Sequence, residues 1–209
     1  MQVARSLIGC KLVRQFPNGL QARGIIVETE AYLDSGDEAC HAARGRTPSN
    51  QMMFSKPGRL YVYPIHARHC MNVVTGPEGQ GSAVLIRAVE FVEENAINSL
   101  IQNRLTDPKN RLPAGSQLDL ARWLSSGPGR LCESAKIDRS HDGLDLLSSS
   151  QLWIESPQGE KHSYPILSSP RIGLSKASEL PLRWFLDGHQ LVSGPAKFHS
   201  KGRNWRFQQ

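Results

Sequence analysis

The sequence predicts an α+β fold: a single compact domain with a curved antiparallel β-sheet and flanking short helices. Three observations predict it. Apolar runs of strand length recur along the chain, separated by turn residues. The 209 residues include 18 Gly and 13 Pro, which favours many turns and few long helices. No internal repeat or linker divides the chain. Residues 7–16 read as a strand, and Pro17-Asn18-Gly19 as the turn into a returning strand over 20–32. Residues 33–58 carry Gly, Ser, Asp, Pro and charge, with only a short Met-Met-Phe cluster, and read as a long irregular loop. A loop of that length inside a domain is usually functional. Residues 60–75 read as a strand, a break at Pro64 and a second strand, followed by a turn at Gly76-Pro77-Glu78-Gly79. The strongly apolar run 82–92 reads as a strand. Helices are expected over 93–105, 116–124 and Arg130–Ala135, and short strands over 151–155, 163–168, 170–174 and 181–186. We divide the chain into a domain, 1–193, and a basic aromatic tail, 194–209.

Composition excludes several function classes. Hydrophobic residues make up 39% and charged residues 21%, so a wholly disordered chain is excluded. No run approaches the ~18 apolar residues of a membrane span. Arg5 and Lys11 interrupt the first apolar stretch, so no signal-peptide layout is present. The four cysteines are widely spaced with no C-x-x-C, which argues against structural zinc and suggests reduced thiols. The net charge is +6, which favours an anionic partner such as nucleic acid. In the tail, Lys197, Lys201, Arg203 and Arg206 interleave with Phe198, Trp205 and Phe207 and no acid. That mixture suits backbone contact plus stacking, or simply a frayed cationic terminus.

Alternation along 20–32 places Glu28, Glu30 and Tyr32 on one face, about 7 Å apart. Arg87 lies inside the apolar run Val84-Leu85-Ile86-Arg87-Ala88-Val89 and requires a carboxylate partner if buried. Glu28 and Glu30 are the candidates. The group is then either a core ion pair or a general base held beside a cation. Tyr61 and Tyr63 share a strand face, and His41 lies in the long loop. His66-x-x-His69 is a weak metal signal.

The runs Gly24–Tyr32, Asp37-Glu38-Ala39-Cys40-His41 and Lys56–Tyr63 resemble the alkyladenine (3-methyladenine, methylpurine) DNA glycosylases. So do Cys70-Met71-Asn72, Val84–Glu90, Gly127–Cys132, Pro170-Arg171-Ile172-Gly173 and Pro181-Leu182-Arg183-Trp184. The resemblance spans roughly residues 4–193. It implies a monofunctional DNA base-excision-repair glycosylase that binds double-stranded DNA containing damaged purines. Such an enzyme flips the damaged purine out, hydrolyses the N-glycosidic bond and leaves an abasic site. It implies no metal and no redox cofactor, no membrane, and action as a monomer. The expected compartment is the cytoplasm with the nucleoid in a bacterium, or the nucleus in a eukaryote.

By the same resemblance, Glu30 is the catalytic carboxylate that activates water, and Arg87 helps hold that water. Glu28 is structural support. Tyr32 and His41 sandwich the flipped base, Tyr63 lies at its edge, and Asn72 crowds the amino group of normal guanine. An alkylated purine is cationic and is attracted to such an aromatic box. The segment Tyr63–Asn72 is one residue shorter than the family pattern. His66 falls where a tyrosine wedge is expected, with Ile65 and Arg68 as the alternatives. The chain begins almost at the family's first strand, so an N-terminal element is expected to be missing or to start upstream. Three other readings compete: a non-catalytic damaged-DNA-binding protein on the same scaffold, a metal hydrolase using His41, His66 and His69, and a lyase using Lys56. We expect no lyase activity, because nothing in the sequence lowers the pKa of Lys56.

Overall fold

The computed structural model describes residues 1–157 and 164–194. Everything beyond residue 194 of the basic tail therefore lies outside the described residues, as does residue 163. The chain opens with a short helix α1 (Gln2–Ser6), then strands β1 (Lys11–Gln15) and β2 (Gln21–Tyr32). Two 3-10 turns follow, His41–Arg44 and Gln51–Phe54, then β3 (Leu60–Ile65), β4 (Arg68–Val74) and β5 (Ala83–Phe91). Helices α2 (Glu94–Leu105), α3 (Gln117–Ser125) and α4 (Pro128–Ser134) form a group before β6 (Leu152–Glu155), β7 (Ile166–Ser169) and β8 (Arg183–Leu186).

All eight strands join one antiparallel sheet in the order β3-β4-β5-β2-β1-β6, with β8 pairing both β2 and β7. The twelve-residue β2 is the branch point. On one side it pairs with β5 from Gly24 to Tyr32. On the other, Gln21–Ile25 pair with β1, and Glu28, Thr29 and Glu30 pair with Phe185, Trp184 and Arg183 of β8. The register against β5 shifts around Glu28, a bulge that increases local twist and bends the strand. The half of β2 carrying the two glutamates is thus enclosed by strands on both edges.

β5 is buried along nearly its whole length, with α3 and α4 packed against it. That explains the near-continuous apolar run, because a strand covered on both faces has no solvent side to alternate with. α3 starts in a capping box, in which Ser116 and Asp119 bond each other's backbone N–H. Gly127, at φ +114°, takes a backbone conformation open only to glycine. Its N–H donates to the Arg87 carbonyl at 3.0 Å, so the corner between α3 and α4 is fastened beside Arg87.

Three local expectations are corrected. The strand expected from residue 7 begins at Lys11, because Gln2–Ser6 coil into a helix and Leu7–Gly9 turn. Pro64 does not break its strand. It lies on β3, an edge strand, where a missing N–H need not interrupt a ladder, and the break falls at His66-Ala67. Residues 170–174 form no strand. The chain bends there, and its polar groups turn toward β2 instead of a neighbouring strand.

Candidate active site

The registers of β2, β5 and β8 bring Glu28, Glu30, Arg87 and Arg183 into one buried cluster. Both glutamates are fully buried. Arg87 donates from Nε to Glu28 Oε1 at 3.0 Å and from Nη1 to Glu30 Oε2 at 3.1 Å. Arg183 Nε donates to Glu28 Oε1 at 2.6 Å, and the Ser193 N–H donates to Glu28 Oε2 at 2.6 Å. Both Glu28 oxygens are thereby occupied. Burial alone would raise the Glu28 pKa. The two guanidiniums and the Ser193 N–H overcome that effect and hold it below the ordinary value. Burial likewise opposes the charge on Arg87, and the two carboxylates more than restore it.

Glu30 is held differently. Its Oε1 accepts from the Ile172 N–H at 2.9 Å, and its Oε2 accepts from Arg87 and from the Tyr32 hydroxyl at 3.0 Å. Tyr32 faces an aromatic box whose other walls are His41, Met53, Tyr61, Tyr63 and Asn72. The His41 and Tyr63 rings meet edge-on with centroids 4.5 Å apart, and Tyr61 and Tyr63 lie 5.6 Å apart at 32°. His41 Nδ1 is 2.9 Å from the Tyr61 hydroxyl. Asn72 donates to the Tyr61 carbonyl at 3.1 Å. As they stand, the walls leave room for little more than a water molecule.

Burial raises the Tyr32 hydroxyl pKa well above the ordinary phenol value, with help from Glu30 and Tyr63, and pushes that of Tyr61 up to about 12. Both rings stay neutral donors at physiological pH. Burial and the nearby Arg44 lower the His41 pKa, so its imidazole is also neutral there. The box is therefore uncharged and rich in π faces.

On the other side of the cluster lies an open cleft lined by Arg87, Arg122, Ser126, Gly127, Arg130, Val192, Ser193 and Gly194. Arg122 and Arg130 are exposed there, and no carboxylate pairs with either among the described residues. Box and cleft flank the same carboxylate. Tyr32 lines the box and donates to Glu30, and Arg87 lines the cleft and donates to Glu30.

This chain is also similar to known proteins. The family model described as methylpurine-DNA glycosylase matches residues 1–190. The chain belongs to the methylpurine-DNA glycosylase family. As a member it is a DNA glycosylase, a hydrolase of N-glycosyl bonds in base excision repair. A protein of Rhodopirellula baltica named "Putative 3-methyladenine DNA glycosylase" is 46% identical, covering 96% of this chain and 82% of that protein. One of the same name from a Synechococcus strain is 44% identical over 91% of this chain and 92% of its own length. The human DNA-3-methyladenine glycosylase is 40% identical over 91% of this chain, which spans 63% of the human protein.

Of the residues expected at the site, Glu30, Arg87, Tyr32, His41, Tyr63 and Asn72 converge as described. His66 stands apart, at the exposed tip of the β3–β4 hairpin, with φ +52°. Ile65 beside it is 42% exposed. Arg68 packs over Gly129 and pairs with Glu133 at 3.3 Å, so its side chain turns toward α4 instead of projecting from the tip. Lys56 is exposed and does not line the box. Among the described residues no group of three metal-ligating side chains converges. Sequence reasoning missed Tyr61 and Met53 as walls of the box and Ser193 as a partner of both arginines. Alternation did place Tyr61 beside Tyr63. Nothing local marks Ser193, whose contact with Glu28 spans 165 residues.

Proposed function

We propose that this enzyme excises alkylated or deaminated purines, 3-methyladenine among them, from double-stranded DNA by a one-step hydrolysis that leaves an abasic site. The observation that carries the reading is the position of Glu30 between an uncharged aromatic box and a cationic cleft. A flipped purine stacks in the box, gaining about 0.5–2 kcal/mol per aromatic contact when alkylation makes it cationic. The cleft, with Arg122 and Arg130, takes the sugar–phosphate. The glycosidic bond then spans the region of Glu30.

As the base departs, positive charge develops on the sugar. Glu30 offers a carboxylate that stabilises this charge and accepts a proton from the attacking water. Arg87 reaches both the cleft and Glu30, and so orients that water against the carboxylate. Asn72, held by the Tyr61 carbonyl, narrows the box against normal guanine. The exposed tip Ile65-His66 fills the gap in the duplex while the base is out.

A single-turnover assay on duplexes bearing hypoxanthine or 3-methyladenine, with Glu30→Gln alongside, tests this. Wild-type excision with an inactive but DNA-binding Glu30→Gln is expected. Wild-type silence on both duplexes, with DNA binding retained, would replace the enzyme by a damaged-DNA-binding protein on the same scaffold. Excision by Glu30→Gln would move the base elsewhere.

A further inference from the structure

Asp37 and Arg171, each in a motif that also supplies a residue of the site, have no role in the mechanism above, yet the fold joins them. Arg171 Nη1 and Nη2 each donate to an Asp37 carboxylate oxygen at 2.6 Å, a bidentate pair with both side chains fully buried. The pair brackets Tyr32. On one side Arg171 Nη1 donates to the Ala31 carbonyl at 2.9 Å. On the other, Asp37 accepts from the Leu33 N–H at 3.1 Å. Between these two anchors the Arg171 guanidinium lies 4.6 Å from the centroid of the Tyr32 ring. Tyr32 lines the box and Arg171 does not, so the guanidinium sits behind the ring.

The next residue, Ile172, supplies the N–H that holds Glu30 Oε1. Asp37 also accepts from the Ala39 N–H, at the start of the turn that carries His41. Every N–H of the Arg171 fork is used except Nε, which is buried without a partner. A pair serving stability alone gains nothing from that orphan. A guanidinium placed for its contact over the Tyr32 ring accounts for it.

We propose that Arg171, held by Asp37, is a positioning residue that acts through Tyr32 and also tunes which base that ring prefers. One short segment then sets both the stacking ring and the carboxylate. A cation behind the ring draws on the same π density that a cationic base would use from the front. Arg171 therefore moderates the preference for cationic over neutral bases. The inference rests on the proposed stacking role of Tyr32.

The test is a double-mutant cycle. Asp37→Asn/Arg171→Met removes both charges together, in the wild-type and in the Tyr32→Ala background. Single-turnover excision is measured on duplexes bearing neutral hypoxanthine or cationic 7-methylguanine. Loss of about tenfold on hypoxanthine is expected in the wild-type background, shrinking to about twofold or less with Tyr32→Ala. The ratio of 7-methylguanine to hypoxanthine excision is expected to rise about threefold. Affinity for undamaged duplex should be unchanged. Equal losses in both backgrounds, or an unmoved ratio, would overturn the proposal. Should the double variant not fold, Arg171→Lys keeps a charge beside Asp37 but loses the guanidinium over the ring, and the same cycle decides. Wild-type protein that excises neither base would instead overturn the glycosylase reading, and this inference with it.

Discussion

The carboxylate cluster and the hairpin tip lie on neighbouring strands and are built on opposite principles. Around Glu28 and Glu30, both carboxylates are fully buried and each of their four oxygens has a donor. At Pro64–Arg68 every residue is exposed, and His66 holds a left-handed backbone that only three non-glycine residues adopt among those described. The difference teaches where this molecule requires rigidity. Charge held for chemistry must not move, because a carboxylate that reorganises loses the advantage of being in place. The tip proposed to enter the duplex needs freedom, and its exposed side chains contribute little to the fold. The aromatic box stands between the two: Met53, Tyr61 and Asn72 are buried, Tyr32 and Tyr63 are half-buried, and His41 is exposed, its ring edge-on to Tyr63.

The largest effect is expected at Glu30. Glu30→Gln keeps the shape and should reduce single-turnover excision by about 10³-fold or more, within the range of a lost general base and a lost charge stabiliser. Comparable inactivity from Glu28→Gln with an unchanged fold would erase the distinction between the two glutamates. Glu28 is expected to matter for stability instead. Glu28→Ala leaves Arg87 and Arg183 buried without their shared partner, and should cost about 3–5 kcal/mol in urea unfolding.

Acid should find the same place. Folding holds the Glu28 and Asp37 pKa values below their ordinary 4.5 and 3.8. For a lowered carboxylate pKa, the stability is fully present above the unfolded value and is lost as pH falls through the folded one. Stability measured by denaturant titration should therefore be level near neutrality and decline below about pH 4.5. Glu28→Ala should flatten that decline. A wild-type curve without it would mean the cluster is not held as described.

In the box, Tyr61→Phe removes the hydroxyl beside His41 and should cost about 1 kcal/mol. At the tip, Ile65→Ala and His66→Ala should shift stability by no more than about 0.5 kcal/mol while slowing excision from duplex DNA. Excision from a duplex mispaired at the damaged base should slow less, since that base is already easier to flip. A large stability loss at the tip would end the contrast drawn above.

Much of this was legible in the sequence, for identifiable reasons. An arginine inside the apolar run of β5 demanded a carboxylate, and the alternation of Glu28, Glu30 and Tyr32 offered one, so the buried pairing of Arg87 with both glutamates followed from desolvation cost and strand period. The family followed from ordered motifs spread over nearly the whole chain, and its model matches residues 1–190. Turn residues located the β1–β2 hairpin, and the apolar runs located β2 and β5.

Other features were decided only by the tertiary structure. Periodicity says which face a residue takes, not which distant segment comes to lie against it. The branching of β2 between β1 and β8 places Arg183 beside Glu28, and the polar groups of residues 170–174 turn onto β2. The fold thereby joins Arg171 to Asp37 across 134 residues and Ser193 to Glu28 across 165. These contacts satisfy polar groups that burial would otherwise strand. Which partners satisfy them depends on register and on the path of loops, quantities set by the packing of the whole chain and carried by no local pattern.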